Sequence, residues 1–185
     1  MHTLRIDRDD NVWAVIEETN TMLKFNAEGR LLMRLFPPPD PPDGVVDDQL
    51  SEWPPPPQAY RFNRPTDVGW DRVGDIFVAD GHRNSRVVKY DKDGRFLAAP
   101  GSRGSAPGGM NTPHALVVDA AGNVYVADGG NSRIQVFDNN LNLHAIYDTV
   151  GTPWALCMTE GPHQYLYSAS NLTRRDRSRC PVLWP

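Results

Sequence analysis

Apolar and polar residues alternate along this chain in short runs, and each run ends at an Asp, Asn or Gly. The clearest example is the stretch 112–138, which has the pattern of three short strands joined by two turns. The tip of its first turn is Ala121-Gly122, and glycine readily adopts the positive φ that a tight hairpin needs. The pattern therefore predicts antiparallel strands.

The same pattern returns in other parts of the chain. Residues 65–80 repeat its first half and residues 84–91 repeat its second half. An earlier copy spans 2–26, and a later copy begins at Pro153. A fourth, outer strand is expected at Leu31–Leu35 and again from Phe96. Units of about 40 residues, each with four short strands, predict an all-β fold of the β-propeller type.

The repeat also sets the expected boundaries. They are blade 1 (1–36), a proline-rich loop (37–61), blade 2 (62–100), a Gly/Ser loop (101–111), blade 3 (112–150), a partial blade 4 (151–171) and an aperiodic tail (172–185). Propellers typically have four to eight blades, so about three and a half blades predict an incomplete ring. We expect either a fragment of a longer protein or several chains that complete one ring, with self-association through the open blade edges.

Composition narrows the class of protein. The net charge of −4 gives no basic surface for nucleic acid, and no apolar run is long enough to span a membrane. No signal peptide is visible. Cys157 and Cys180 are too few for a disulfide framework and lack metal-site spacing. The proline clusters predict a stiff surface loop, with a ligand for a proline-binding domain as the alternative.

Particular residues carry a resemblance to a known family. The segments 113–119, 122–128 and 131–137 resemble the NHL repeat. More narrowly, three segments resemble the peptidyl-α-hydroxyglycine α-amidating lyases, which are six-bladed propellers: residues 62–68, residues 78–81 with 84–88, and residues 112–116. That family converts a C-terminal α-hydroxyglycine to a peptide amide and glyoxylate. The resemblance implies a lyase activity, a small peptide or small-molecule substrate, and a secreted or periplasmic location.

Histidines stand at the starts of alternate inner strands. Alignment of the copies puts His2, Thr66, His114 and Trp154 at one blade position. Three such histidines around the axis would form a His₃ zinc site with an open fourth position. The resemblance likewise implies zinc bound by His2 and His114, with a third ligand in a blade that this chain lacks, and hence weak binding. A simple channel-lining role for either histidine is the alternative.

The resemblance also implies a calcium ion held partly by the main-chain carbonyl of Leu4. Two of the family's catalytic positions differ here. His82 stands where the family has a tyrosine that acts as a base, and a histidine can accept a proton near neutral pH. Gly129 stands where the family has an arginine, which would stabilise negative charge. We therefore expect a lyase-like chain with impaired catalysis, and a non-catalytic scaffold that binds a protein or ligand is the alternative.

Other candidates have simpler interpretations. The repeated pairs Asp80–Arg86 and Asp128–Arg133 are expected to tie the blades together. Asp67 is expected either to line the channel or to cap a turn. Two histidines outside the inner-strand register are predicted at the surface, and three aromatic residues are predicted to pack between blades. These are His144 and His163, and Trp13, Trp70 and Tyr125.

Overall fold

The computed structural model of the chain describes residues 1–35 and 61–171. The proline clusters, the predicted tail from residue 172 and Cys180 lie outside the described residues. Within the described ranges the regular structure is β-strand, apart from one short 3₁₀ turn at Gly129–Asn131. None of these residues forms a helix with the length and apolar character that crossing a bilayer requires.

The strands form separate antiparallel sheets, and in each sheet the strand order follows the chain. Among the described residues, three sheets have four strands and the last has two. The strands are β1 Thr3–Ile6, β2 Val12–Ile16, β3 Thr21–Phe25 and β4 Leu31–Leu35; β5 Asp67–Trp70, β6 Ile76–Asp80, β7 Arg86–Tyr90 and β8 Phe96–Ala98; β9 Pro113–Val118, β10 Val124–Asp128, β11 Arg133–Phe137 and β12 Leu143–Tyr147; and β13 Thr152–Met158 and β14 Leu166–Asn171. The predicted all-β fold, with bladed sheets in an incomplete ring, is confirmed.

The core lies between the blades. Strand β6 illustrates this arrangement. Its successive side chains point to opposite faces of the sheet, so they pack in two different hydrophobic clusters. Ile76 and Val78 pack against blade 1, in a cluster that also holds Trp13. Phe77 and Ala79 pack in the other direction, against blade 3. Blade 2 is therefore covered on both faces, which explains why β6 is a continuous buried run and not an alternating one.

Blade 1 differs because one of its faces is open among the described residues. Leu4 of β1 is 54% exposed. The side chains at the same position of the next inner strands, Val68 and Leu116, are each 1% exposed. Each large apolar side chain buried in this way contributes about 1.5–3 kcal/mol. The open face of blade 1 therefore lacks the packing that stabilises blades 2 and 3.

In blades 2 and 3, the aspartate of a buried ion pair also bonds to the loop that precedes the blade. Asp80 accepts hydrogen bonds from Arg86 Nε at 3.0 Å and from the main-chain N–H of Asn63 at 2.8 Å. In blade 3, Asp128 accepts from Arg133 Nε at 2.8 Å and from the N–H of Asn111 at 2.6 Å. The repeated Asp–Arg pairs are thus part of the blade framework.

Candidate metal centre

Three histidines from three blades meet at one end of the inner strands. His2 precedes β1, His82 lies in the turn between β6 and β7, and His114 lies in β9. One ring nitrogen from each residue lies within 4.8 Å of the corresponding nitrogens of the other two. The ring centroids of His2 and His114 are 4.8 Å apart, and those of His82 are 5.3 Å from His2 and 5.6 Å from His114. All three side chains are half-buried.

The two strand-start histidines are oriented by the same kind of hydrogen bond. The Nδ1 atom of His2 lies 2.7 Å from the carbonyl oxygen of Thr66, and that of His114 lies 2.7 Å from the carbonyl oxygen of Trp154. A carbonyl oxygen can only accept, so Nδ1 carries the proton in both rings. The Nε2 lone pair of each neutral ring is therefore available to a ligand.

His82 reaches the cluster because the residue before it is glycine. A Cβ atom at Gly81 would lie 1.8 Å from the carbonyl oxygen of Pro113 and 2.8 Å from Thr66 Oγ1. Only glycine allows the turn to approach β9 this closely. The main-chain N–H of His82 then donates to the carbonyl of Arg64 at 3.2 Å. These contacts hold the His82 ring beside His114.

The Nδ1 atom of His82 also has an oxygen partner, but this partner is a side chain. Glu17 Oε1, in the turn between β2 and β3, lies 3.0 Å from it. The same oxygen lies 3.4 Å from Arg64 Nη1. A carboxylate that accepts from Nδ1 leaves Nε2 of His82 available, as in the other two rings.

The surroundings of His114 favour its neutral form. Burial lowers the pKa of His114, and the neighbouring His2 and His82 lower it further, although the bond to the Trp154 carbonyl acts in the opposite direction. Metal binding requires neutral imidazole. His114 is therefore already in the form that a metal ion needs at neutral pH.

The structure brings together the three histidines that the sequence singled out. The sequence did not predict that His82 would be the third member of the cluster. His82 was expected at a base position, and the third ligand was expected from a blade outside this chain. The turn instead places His82 beside His2 and His114. Glu17 was not predicted at all, although it occupies the position after β2 that Gly81 occupies after β6.

The remaining candidates lie elsewhere or have structural contacts. His144 and His163 are exposed. Asp67 is buried and accepts from Arg5 Nε at 2.8 Å and from the N–H of Leu116 at 3.1 Å, which joins three inner strands. Gly129 has no side chain, so this position adds no charge to the centre. A Cβ atom at Gly129 would lie 3.1 Å from the carbonyl oxygen of Pro153.

The predicted aromatic residues have the following surroundings. Trp13 of blade 1 packs against Trp70 of blade 2, with ring centroids 5.4 Å apart. Tyr125 is partly buried and packs against the cluster between blades 3 and 4.

Comparison with known proteins agrees with this architecture. The NHL repeat family matches residues 110–137. NHL repeat-containing protein 3 from Homo sapiens is 38% identical over 105 residues, which is 55% of this chain and 28% of that protein. Peptidyl-alpha-hydroxyglycine alpha-amidating lyase 1 from Drosophila melanogaster is 31% identical over 156 residues, which is 79% of this chain and 27% of that protein.

A solved structure shows the same fold. The streptogramin B lyase structure superposes with a TM-score of 0.63 at 16% identity and covers 92% of this chain and 48% of the other. The chain carries an NHL repeat within a propeller fold, and it is related to both NHL repeat-containing protein 3 and the amidating lyases. It spans less than a third of the length of the human and fly relatives.

Proposed function

We propose that this chain is a zinc-binding NHL propeller of the amidating-lyase type, with His2, His82 and His114 as the ligands and with impaired lyase chemistry. The observation that carries the proposal is the meeting of three imidazoles whose Nδ1 atoms are all taken by oxygen partners. Three ligands of this kind with an open fourth position are typical of catalytic zinc sites.

The donor set fits the ion. Zinc binds imidazole nitrogen at about 2.0–2.1 Å, so the nitrogens of a tetrahedral site lie roughly 3.4 Å apart. The observed nitrogens lie within 4.8 Å of one another. Ring movements of about 1 Å or less would bring them to bonding distance. The oxygen partners at Nδ1 would keep each Nε2 directed for coordination.

The same arrangement explains why lyase chemistry would be impaired. A bound zinc ion would polarise a substrate oxygen at the open position. His82 cannot donate its Nε2 lone pair to a metal and accept a substrate proton with the same atom. Gly129 offers no guanidinium for developing negative charge. The chain would therefore bind metal and substrate but lack the groups that move the proton and stabilise charge.

The proposed substrate class rests on the name of a relative. The fly relative is named as a lyase acting on peptidyl-α-hydroxyglycine, so we propose a small peptide or small molecule at the open metal position and a secreted location. A calcium ion at the Leu4 carbonyl stays an expectation.

A second candidate function is a binding scaffold. Leu4 and Ile6 of β1 are 54% and 68% exposed, so blade 1 offers an apolar face that another blade or chain can cover. We propose self-association through this face. Light scattering on the purified chain tests the proposal: a mass above 20.7 kDa that falls to this value in Leu4→Glu supports it. A monomeric wild-type chain would contradict it.

The zinc proposal is tested by the zinc affinity of the purified chain. We expect one zinc ion per chain, and we expect His114→Ala to reduce the affinity by at least about a hundredfold. His144→Ala is the matched control, because His144 is exposed and outside the cluster. Equal affinity in His114→Ala and wild type would contradict the site. A lyase assay with an α-hydroxyglycine peptide should show little activity, and efficient turnover would contradict the impairment.

A further inference from the structure

Glu17 occupies a repeat position that glycine fills in the next two blades. Strands β2, β6 and β10 end at Ile16, Asp80 and Asp128, and each pairs there with the first residue of the following strand. The next residue is Glu17 in blade 1, Gly81 in blade 2 and Gly129 in blade 3. Blade 1 therefore places a carboxylate where the other turns have no side chain.

This carboxylate is turned toward the histidine cluster. Its Oε1 atom lies 3.0 Å from His82 Nδ1 and 3.4 Å from Arg64 Nη1, and the side chain is only 19% exposed. Arg64 offsets the charge of Glu17, so the carboxylate is held close to His82 without an uncompensated charge in a half-buried position.

The three Nδ1 partners differ in one respect. His2 and His114 donate to the main-chain carbonyls of Thr66 and Trp154, which any residue would supply. The Nδ1 atom of His2 also lies 3.1 Å from Thr3 Oγ1, but that hydroxyl itself donates to the Thr66 carbonyl oxygen. The Nδ1 partner of His82 is the side chain of Glu17. The orientation of His82 is therefore the one that a substitution in another blade can remove.

We infer that Glu17 is a positioning residue that holds His82 in the orientation of a metal ligand. It acts through the ring of His82 and does not itself contact the ion. The role of His82 as a metal ligand rests on the proposed function above, whereas the orientation of its ring by Glu17 does not. A consequence is that the third ligand is in place only when blades 1 and 2 are packed together.

The first test is zinc affinity in Glu17→Ala, with Glu28→Ala as the control at an exposed turn glutamate. Loss of an outer-shell carboxylate typically reduces metal affinity 10–100-fold. We expect a loss in this range for Glu17→Ala, near-wild-type affinity for Glu28→Ala, and partial retention in Glu17→Gln, whose amide oxygen can still accept. Wild-type affinity in Glu17→Ala would overturn the inference.

A double-variant comparison separates positioning from a general effect on the fold. If Glu17 acts through His82, Glu17→Ala should cause no further loss of zinc affinity in a His82→Ala background. An equal loss in both backgrounds would overturn the inference. Should Glu17→Ala fail to fold, Glu17→Leu serves the same comparisons, because it fills much of the same space without an acceptor.

A metal-free measurement distinguishes this inference from the proposed function. Two-bond ¹H–¹⁵N spectra report which nitrogen of His82 carries the proton at a pH where the ring is neutral. We expect the Nδ1–H form in the wild-type chain and a mixture of tautomers in Glu17→Ala. If the wild-type chain shows this tautomer but binds no zinc, the proposed function fails and the orientation stands. Identical tautomers in both chains would overturn the role of Glu17.

Discussion

The turns after β6 and β10 are built on the same framework but differ in chemistry. In each, a buried aspartate accepts from an arginine and from the N–H of the preceding loop, at 3.0 and 2.8 Å for Asp80 and at 2.8 and 2.6 Å for Asp128. In each, a glycine follows the aspartate. Blade 2 then has His82, whereas blade 3 has Gly130.

The two turns differ in length and in local space. Residues 81–85 separate Asp80 from its strand partner Arg86, whereas residues 129–132 separate Asp128 from Arg133, so the blade 2 turn is one residue longer. A Cβ atom at Gly130 would lie 2.5 Å from Asn111 Cγ and 2.7 Å from the Asn111 carbonyl oxygen, so this position has no room for a side chain. The longer turn of blade 2 instead places the imidazole of His82 next to two others. The Asp–Arg framework is thus shared by the repeats, while the candidate chemistry depends on the longer turn of blade 2 and on the histidine that it carries.

The largest effect is expected from breaking the shared framework. Asp80→Ala and Asp128→Ala each leave a buried arginine without its carboxylate, and loss of one partner of a buried pair costs about 3–5 kcal/mol. Chemical denaturation should show similar losses of unfolding free energy in both variants. A loss below about 1 kcal/mol in either one would show that the two turns do not share this framework.

The next largest effect should distinguish the two glycines. In Gly81→Ala the new methyl group meets the Pro113 carbonyl oxygen at 1.8 Å, whereas in Gly129→Ala it lies 3.1 Å from the Pro153 carbonyl oxygen. We expect a loss of about 3 kcal/mol for Gly81→Ala and about 1 kcal/mol or less for Gly129→Ala. Thermal unfolding of both variants measures this, and equal losses would contradict the close approach of the blade 2 turn.

His82→Gly removes the imidazole from the blade 2 turn, where the blade 3 turn has no such side chain. The change leaves the Asp80 framework in place, so we expect the unfolding free energy to fall by less than about 1 kcal/mol. Zinc affinity should fall by more than about a hundredfold, because one of three ligands is lost. Cobalt substitution with visible absorption measures the affinity. Unchanged affinity would mean that His82 is not a ligand.

The smallest effect concerns blade 1 and its dependence on pH. Burial acts to raise the pKa of Asp7, but hydrogen bonds from Trp13, Asn11 and Lys24 outweigh it and lower the pKa to about 2. The folded pKa is below the unfolded value of 3.8, so Asp7 stabilises the fold above pH 3.8, and this contribution is lost as pH falls toward 2.

We expect Asp7→Asn to remove about 2 kcal/mol at pH 6 and progressively less between pH 4 and pH 2. Urea denaturation over this range measures the difference between the variant and the wild-type chain. A difference that does not shrink as pH falls would contradict the assignment to the Asp7 carboxylate.

The sequence predicts the framework well because the framework repeats. The strand positions, the paired Asp and Arg residues and the equivalence of His2 with His114 all follow from alignment of the copies. Glu17 and His82 could not be found this way, since each differs from its counterparts in the other blades. Their meeting depends on the contact of Gly81 with β9, which is a long-range feature that no local pattern reports.

The most direct test of the three-histidine site is a crystal structure of the zinc-loaded chain with anomalous diffraction at the zinc edge. We predict one strong anomalous peak at bonding distance from Nε2 of His2, His82 and His114, with the Glu17 carboxylate still at hydrogen-bond distance from His82 Nδ1. A peak bound by His2 and His114 without His82, or a zinc ion bound elsewhere on the chain, would contradict it.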